Sequence, residues 1–175
     1  MKAIKIIGKI LGIALNVFLV AILIVNGWTI IARSFLGIQN PRFLGFASAV
    51  VETDSMNGDR PDSIAGNDMI FTLAKSEYEI DAVIMFETTK GVTVTHRIVG
   101  YDEEEGGFIT RGDANNTEDD ERVTPDRIVG EVVGVIPGAG GVIRWLRTEV
   151  GLMVIGITLV LLIGIPLLFG KDEEE

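Results

Sequence analysis

The chain has 175 residues, with 25 acidic against 15 basic side chains, a formal net charge of −10, one histidine and no cysteine. That acidic balance argues against a nucleic-acid binder, which needs a basic footprint. Without cysteine there is no disulfide framework and no thiol catalysis, and a single histidine leaves no zinc site of the usual His/Cys kind.

In chain order, the first element is an uncharged apolar run over residues 10–32, preceded by Lys2, Lys5 and Lys9. It has about the 20 residues that an α-helix needs to cross a bilayer. It is too long for the apolar region of a signal peptide, and no A-x-A-like site closes it. A second such run covers residues 150–170. The pattern predicts a transmembrane helix at each end of the chain. The lysines place residues 1–9 in the cytoplasm. Residues 33–149 then form an extracytoplasmic domain in a two-span cell-membrane protein, and residues 171–175 return as a short cytoplasmic tail. Trp28 and Trp145 fall near the outer ends of the two spans, where aromatic side chains favour the interface.

Between the spans, six short runs rich in Val, Ile, Phe and Thr read as strands: 47–51, 69–73, 82–86, 92–101, 107–110 and 127–136. Clusters of Gly, Asp, Asn and Pro separate them. Residues 87–91 have hairpin-loop composition, and residues 102–107 make a second turn. In 92–96 the alternation Val-Thr-Val-Thr-His puts His96 on the Val92/Val94 face. The predicted domain is mainly β, with its core at about 44–140 and no long amphipathic helix. Residues 33–43 and 138–149 are junctions, and Gly138-Ala-Gly-Gly141 reads as a loop. The domain itself carries 10 basic and 21 acidic residues over 34–150.

Three features of this domain carry chemistry. Ser55 lies in Thr53-Asp-Ser55-Met56, where a strand exits into a polar turn. A serine hydroxyl needs a base to take its proton, and a sharp strand exit aims backbone N–H groups at a developing oxyanion. His96 is the one imidazole available as that base, and an ordinary histidine titrates near pH 6.5. The stretch 111–120, RGDANNTEDD, supplies carboxylates. Hydroxyl, imidazole and carboxylate make up a Ser-His-Asp arrangement, which recurs in several chain orders on unrelated folds. Lysine is the other conceivable base. Lys75 and Lys90 are the only lysines between the spans, and Lys90 sits in a turn that reads as exposed.

In combination these motifs resemble type I signal peptidases of the archaeal and endoplasmic-reticulum branch. That branch shows S-x-S-M-x-P, then T-H-R on a strand, then a G-D-x-N loop followed by a further aspartate. Here the corresponding stretches are Thr53-Asp-Ser-Met56, Thr95-His-Arg-Ile-Val99 and Gly112-Asp-Ala-Asn115, with Asp119 six positions beyond Asp113. Residues 128–137 are similar to the family's closing strand, and the resemblance spans about 44–150.

The resemblance implies a signal-peptidase-like antiparallel β fold and a serine endopeptidase that removes signal peptides after small residues, without a cofactor or metal. It implies Ser55 as nucleophile, His96 as general base and Asp119 as the acid holding the imidazolium, with Asp120 its rival. Asp113 would support the loop or the same network, and Thr53 with the Ser55 N–H would serve the oxyanion. The expected partners are signal peptides, the lipid bilayer and the export translocon. Thr53 replaces the family's first serine, and no proline follows Met56 until Pro61, which predicts a rebuilt loop after the serine. Two other classes compete: a non-catalytic membrane-anchored β-domain (an adaptor, an assembly protein or an inactive paralogue) and a calcium-binding module over 113–121.

Overall fold

The computed structural model describes residues 2–146, 148–151, 153–154 and 156–157. Helix α1, Lys2–Ser34, opens the chain. Its segment Gly12–Ser34 contains an 18-residue window with a mean hydropathy of 2.2 and is long and apolar enough to cross a membrane. Gly37 follows the helix in the left-handed region (φ 67°), and the Ile38 N–H returns to the Ala32 carbonyl at 3.0 Å. Of the second expected span, 150–170, most residues lie outside the described ones.

The domain is a six-stranded antiparallel sheet: β1 Phe46–Val50, β2 Met69–Leu73, β3 Val83–Glu87, β4 Thr93–Asp102, β5 Gly107–Arg111 and β6 Ile128–Ile136, in the spatial order β1-β2-β6-β3-β4-β5. Each expected strand is present, within about a residue at either end. The turns fall where glycine permits a positive φ, Gly91 after β3 and Gly106 after β4.

Val83-Ile-Met-Phe86 is a continuous apolar run because β3 is buried on both faces. Its alternation feeds two apolar clusters. Val83 and Met85 join Ala47, Met56, Ile64, Ile70 and Val129. Ile84 and Phe86 join Ile98, Val123 and Ile128. Met56 and Ile64, both from the loop between β1 and β2, are almost wholly buried. The loop therefore belongs to the core.

One junction differs from expectation. Residues Ala139–Leu146 form a helix, α2, where the sequence reads as loop. Gly138 reverses the chain at φ 68°, and its N–H donates to Asp68 Oδ1 at 2.8 Å. The Gly140 N–H donates to the Asn67 carbonyl at 2.7 Å, which satisfies one of the free donors at a helix start. Two glycines early in a helix are poor helix formers. Here Gly140 is required by proximity, since a Cβ would lie 2.7 Å from the Asn67 oxygen. Tertiary contact outweighs local propensity at this point.

Gly130 in β6 is under a similar constraint, with a Cβ position 2.8 Å from the Leu73 carbonyl carbon and 2.9 Å from its oxygen. Those are backbone atoms of the neighbouring segment and have no rotamer to change. Gly130→Ala is expected to destabilise the protein by roughly 1–3 kcal/mol, the usual range for overpacking. Urea unfolding in mild detergent, followed by circular dichroism, checks this, and an unchanged midpoint would refute it.

Candidate active site

β1 and β4 are four places apart in the sheet, about 19 Å at the usual strand spacing if the sheet were flat. Yet Ser55, five residues past β1, touches His96 on β4. The chain leaves β1, passes through Val51, and is pinned on the way. The Val51 N–H donates to the Asp68 carbonyl at 2.8 Å and the Asn67 N–H to the Val51 carbonyl at 2.8 Å, while Gly66 N–H donates to Asp54 Oδ1 at 2.8 Å. Met56 then enters the core with no exposed surface, and its carbonyl accepts from Ile64 N–H at 3.0 Å. Ser55 is thus carried on a segment tied down on both sides.

His96 sits just outside the stretch of β4 that pairs with β5. That pairing begins at Arg97↔Arg111 and contains a bulge between Ile98 and Gly100. β5 ends at Arg111, and the loop 112–119 turns back around the imidazole. Gly112 makes this possible. A Cβ there would lie 2.5 Å from the Ser55 carbonyl oxygen, 2.8 Å from Asn115 Nδ2 and 2.9 Å from His96 Nε2. The Ala114 N–H donates to that same Ser55 carbonyl at 2.9 Å, joining the loop to the serine segment.

The result is a chain of hydrogen bonds. Asp119 Oδ2 lies 2.7 Å from His96 Nδ1, and His96 Nε2 lies 3.1 Å from Ser55 Oγ. Thr110 Oγ1 donates to the same Asp119 oxygen at 2.6 Å, and the Asp119 N–H donates to the Thr110 carbonyl at 2.8 Å. Burial raises the Asp119 carboxyl, but the hydrogen bonds from His96 and Thr110 outweigh it and hold it below the usual aspartate value. An ionised carboxylate only accepts, so Nδ1 carries the imidazole proton. Nε2 is then the acceptor, and the Ser55 hydroxyl donates to it. Thr53 Oγ1 lies 3.3 Å from Ser55 Oγ. With the serine proton committed to Nε2, the threonine hydroxyl is the donor of that contact. The Ser55 N–H donates to no described residue.

The remaining candidates separate cleanly. Asp120 is exposed, and it is Asp119 that meets His96. Asp113 is outside the imidazole network. It receives both ends of a fork from Arg97, Nε to Oδ1 at 2.8 Å and Nη2 to Oδ2 at 2.6 Å. Of the two positions expected for Asp113, it takes that of a loop support and stands apart from the imidazole network, because both its oxygens are engaged by Arg97. Arg97, directly after His96, points to the other side of the strand. Its Nη1 donates to Asp62 Oδ2 at 2.9 Å and to the Asp81 carbonyl at 2.8 Å. Lys90 is exposed in its turn, and Lys75 pairs with Glu131 at 2.7 Å.

The carboxylates of 113–121 also diverge, Asp113 to Arg97, Asp119 to His96, and Glu121 to Thr89 and Arg127. No group of three metal-binding side chains forms among the described residues.

Sequence reasoning assigned no role to Thr110, Arg97 or Asp62. Strand alternation around Arg111 offered a signal for Thr110. The pairing of Asp62 depends on how a turn-rich loop folds, and no local pattern encodes that.

Two cavities meet at His96. One, of about 540 Å³, is lined by Ala49, Val51, Thr53, Ser55, Met85 and Val94, among others. It lies between two strand edges without partners. Among the described residues β1 pairs with β2 and, at Phe46, with Phe43, and β5 covers β4 from Arg97 onward, leaving Thr93–Thr95 open. The second, of about 520 Å³, lies on the Asp119 side and is rimmed by Lys90, Glu118, Asp120 and Glu121. Val92, Val94 and His96 line both, so the imidazole does lie on the face expected from the alternation. A scan of the sequence against protein-family models finds no match, and a search among curated proteins finds none either.

The low-lying Asp119 carboxyl links stability to pH. A group depressed in the folded state contributes stability above its ordinary value, 3.8 for aspartate, and loses it as the pH falls from there through the folded value. Asp119→Asn is expected to be less stable than the parent at neutral pH, with the gap narrowing under strongly acid conditions. Urea midpoints of the two proteins at both pH values check the sign. A gap that widens in acid would refute it.

Proposed function

We propose that this chain is a membrane-anchored serine endopeptidase that removes signal peptides from exported proteins. The observation that carries the reading is the continuous path from Asp119 through His96 to Ser55 Oγ, opening into a cavity bordered by two free strand edges. An extended peptide laid in that cavity gains backbone hydrogen bonds from an unpaired edge, and its alternate side chains enter pockets. The apolar lining, with Ala49 and Met85, suits the small apolar residues that precede a signal-peptide cleavage site. The candidate span α1 favours a substrate that is itself at the membrane, and Lys2, Lys5 and Lys9 favour a domain on the extracytoplasmic side. The order of the motifs, T-D-S-M, T-H-R and G-D-A-N, supports the same family.

In this reading Ser55 Oγ attacks the scissile carbonyl carbon while its proton passes to His96 Nε2. The oxyanion takes hydrogen bonds from the Ser55 N–H and from Thr53 Oγ1. The imidazolium, held by Asp119, returns the proton to the departing amine as the C–N bond breaks, leaving an acyl-enzyme. Water then repeats the cycle, with His96 again the base, and releases the signal peptide with a free carboxylate.

Ser55→Ala and His96→Ala are each expected to lower cleavage of a preprotein in detergent by about 10⁴-fold or more, with circular dichroism unchanged. Substantial cleavage by either variant would sink the mechanism. A folded parent that cleaves no preprotein would favour a non-catalytic anchored domain instead.

Asp119→Ala and Asp120→Ala separate the adjacent carboxylates. The former is expected to lose most of the rate, and the latter to stay within about threefold of the parent, because an exposed carboxylate away from the imidazole contributes little. Equal modest losses would show that neither aspartate holds the histidine.

A further inference from the structure

One side chain at a strained turn, Leu44, has little to pack against within the domain. Between Phe43 and Phe46 the chain reverses in two residues, Leu44 at φ 52° and Gly45 at φ 84°, and the flanking backbones exchange hydrogen bonds of 2.8 and 3.0 Å. A two-residue hairpin with both central φ values positive is a turn that favours Asn-Gly. A bulky side chain in this region is an outlier that costs backbone energy. Leu44 bears that cost and is 83% exposed, so it contributes almost nothing to the core. Phe46, at the other end of the turn, is 51% exposed, and Phe35 and Leu36, just past α1, are 80% and 57% exposed. The fold alone would be better served by asparagine.

The position of the hairpin supplies the reason. Its stem is hydrogen-bonded to α1, since the Trp28 indole N–H donates to the Arg42 carbonyl at 2.7 Å. Trp28 lies six residues before the end of the helix, a distance of about 9 Å along its axis. The chain therefore leaves α1, folds back alongside it, and begins the hairpin level with a tryptophan of the candidate span. Indoles sit at the headgroup boundary of membrane helices. Arg33 and Arg42, both exposed, frame the same region with cations suited to lipid phosphates.

We infer that the Phe43–Phe46 hairpin is a membrane-inserted finger, with Leu44 and Phe46 among the lipid acyl chains and Arg42 at the phosphate level. The domain is then held to the bilayer at a second point besides α1. β1 starts in the finger and leads toward Ser55, so insertion fixes how the serine segment faces the membrane. The inference requires α1 in the bilayer and holds whether or not the chain cleaves peptides.

The absence of cysteine makes the test direct. Single cysteines replace Leu44, Val20 in mid-helix and Glu104 in the distant β4–β5 turn of the full chain. Each carries a nitroxide, and the protein is reconstituted in phosphatidylcholine–phosphatidylglycerol vesicles. Collision with oxygen, which concentrates in lipid, is compared with collision with a water-soluble nickel chelate. The Leu44 label is expected to favour oxygen several-fold more than the Glu104 label, approaching Val20. A Leu44 label as open to nickel as Glu104 would overturn the inference. So would one shielded from both reagents, which would mark a protein contact, and so would a water-exposed Val20. Separately, Leu44→Asn suits the turn and is expected to hold or raise thermal stability in detergent. A clear loss would show that Leu44 serves the fold. No arm measures cleavage, so failure here leaves the Ser55–His96 reading untouched.

Discussion

A guanidinium buried to within a few per cent of its surface must be surrounded by acceptors, and that requirement organises the site. Arg97 is enclosed by the fork to Asp113, by Asp62 and by the Asp81 carbonyl. The Asp113 hydrogen bonds outweigh the burial that opposes them and lift the guanidinium well above the ordinary arginine value. Breaking such a pair costs about 3–5 kcal/mol, mostly because the surviving charge is left without a partner. The same ion cluster joins β4, the loop after β5, the loop after Ser55 and the approach to β3. Three of these four segments meet at the hydroxyl–imidazole pair, and His96 is the next residue along the strand. The polar cluster on one face of β4 thus holds in place the imidazole on the other.

The rebuilt loop after Ser55 has a place in this scheme. It lacks the proline expected after Met56, and its shape is set by other means. Arg60 reaches Asp81 at 2.7 Å, Asp62 reaches Arg97, and the Ser63 hydroxyl donates to the Met56 carbonyl at 3.1 Å. Burial raises the Asp62 carboxyl, and the Arg97 hydrogen bond overrides this and lowers it. Exposed pairs such as Arg60–Asp81 contribute little singly. The contact to Arg97 differs because one partner is buried. Ionic ties and the buried Met56 and Ile64 together fix the shape of this loop.

The strands were legible because each has its own short-range signature of β-branched and aromatic residues between turn formers. β3 could be recognised as a strand, and only the structure shows why its alternation is missing: it is buried on both faces. The residues at the site were legible by type and scarcity, since a lone histidine leaves little choice of base. Their convergence was not legible, because it depends on a sheet that brings the end of β1 to β4. The choice between Asp119 and Asp120 turns on one residue of register in a loop, which composition does not encode. α2 was missed for a related reason. Its glycines deny local helix propensity, and the hydrogen bond that ties down its start comes from Asn67, far away in sequence.

Ser55 lies partly open to solvent, while the next residue, Met56, has no exposed surface, and its sulfur accepts the Asp113 N–H at 3.4 Å. A surface turn would ordinarily fray by itself, because local openings need little energy where few apolar contacts break. This turn has no such freedom. To swing Ser55 away from His96, the chain must draw Met56 out of the cluster that holds Ile64, Ile70 and Met85 together. The motion of the Ser55 backbone is therefore coupled to the cooperative unit of the sheet and belongs to the slow, global end of the fluctuation spectrum, while rotation about χ1 leaves the hydroxyl its own fast motion.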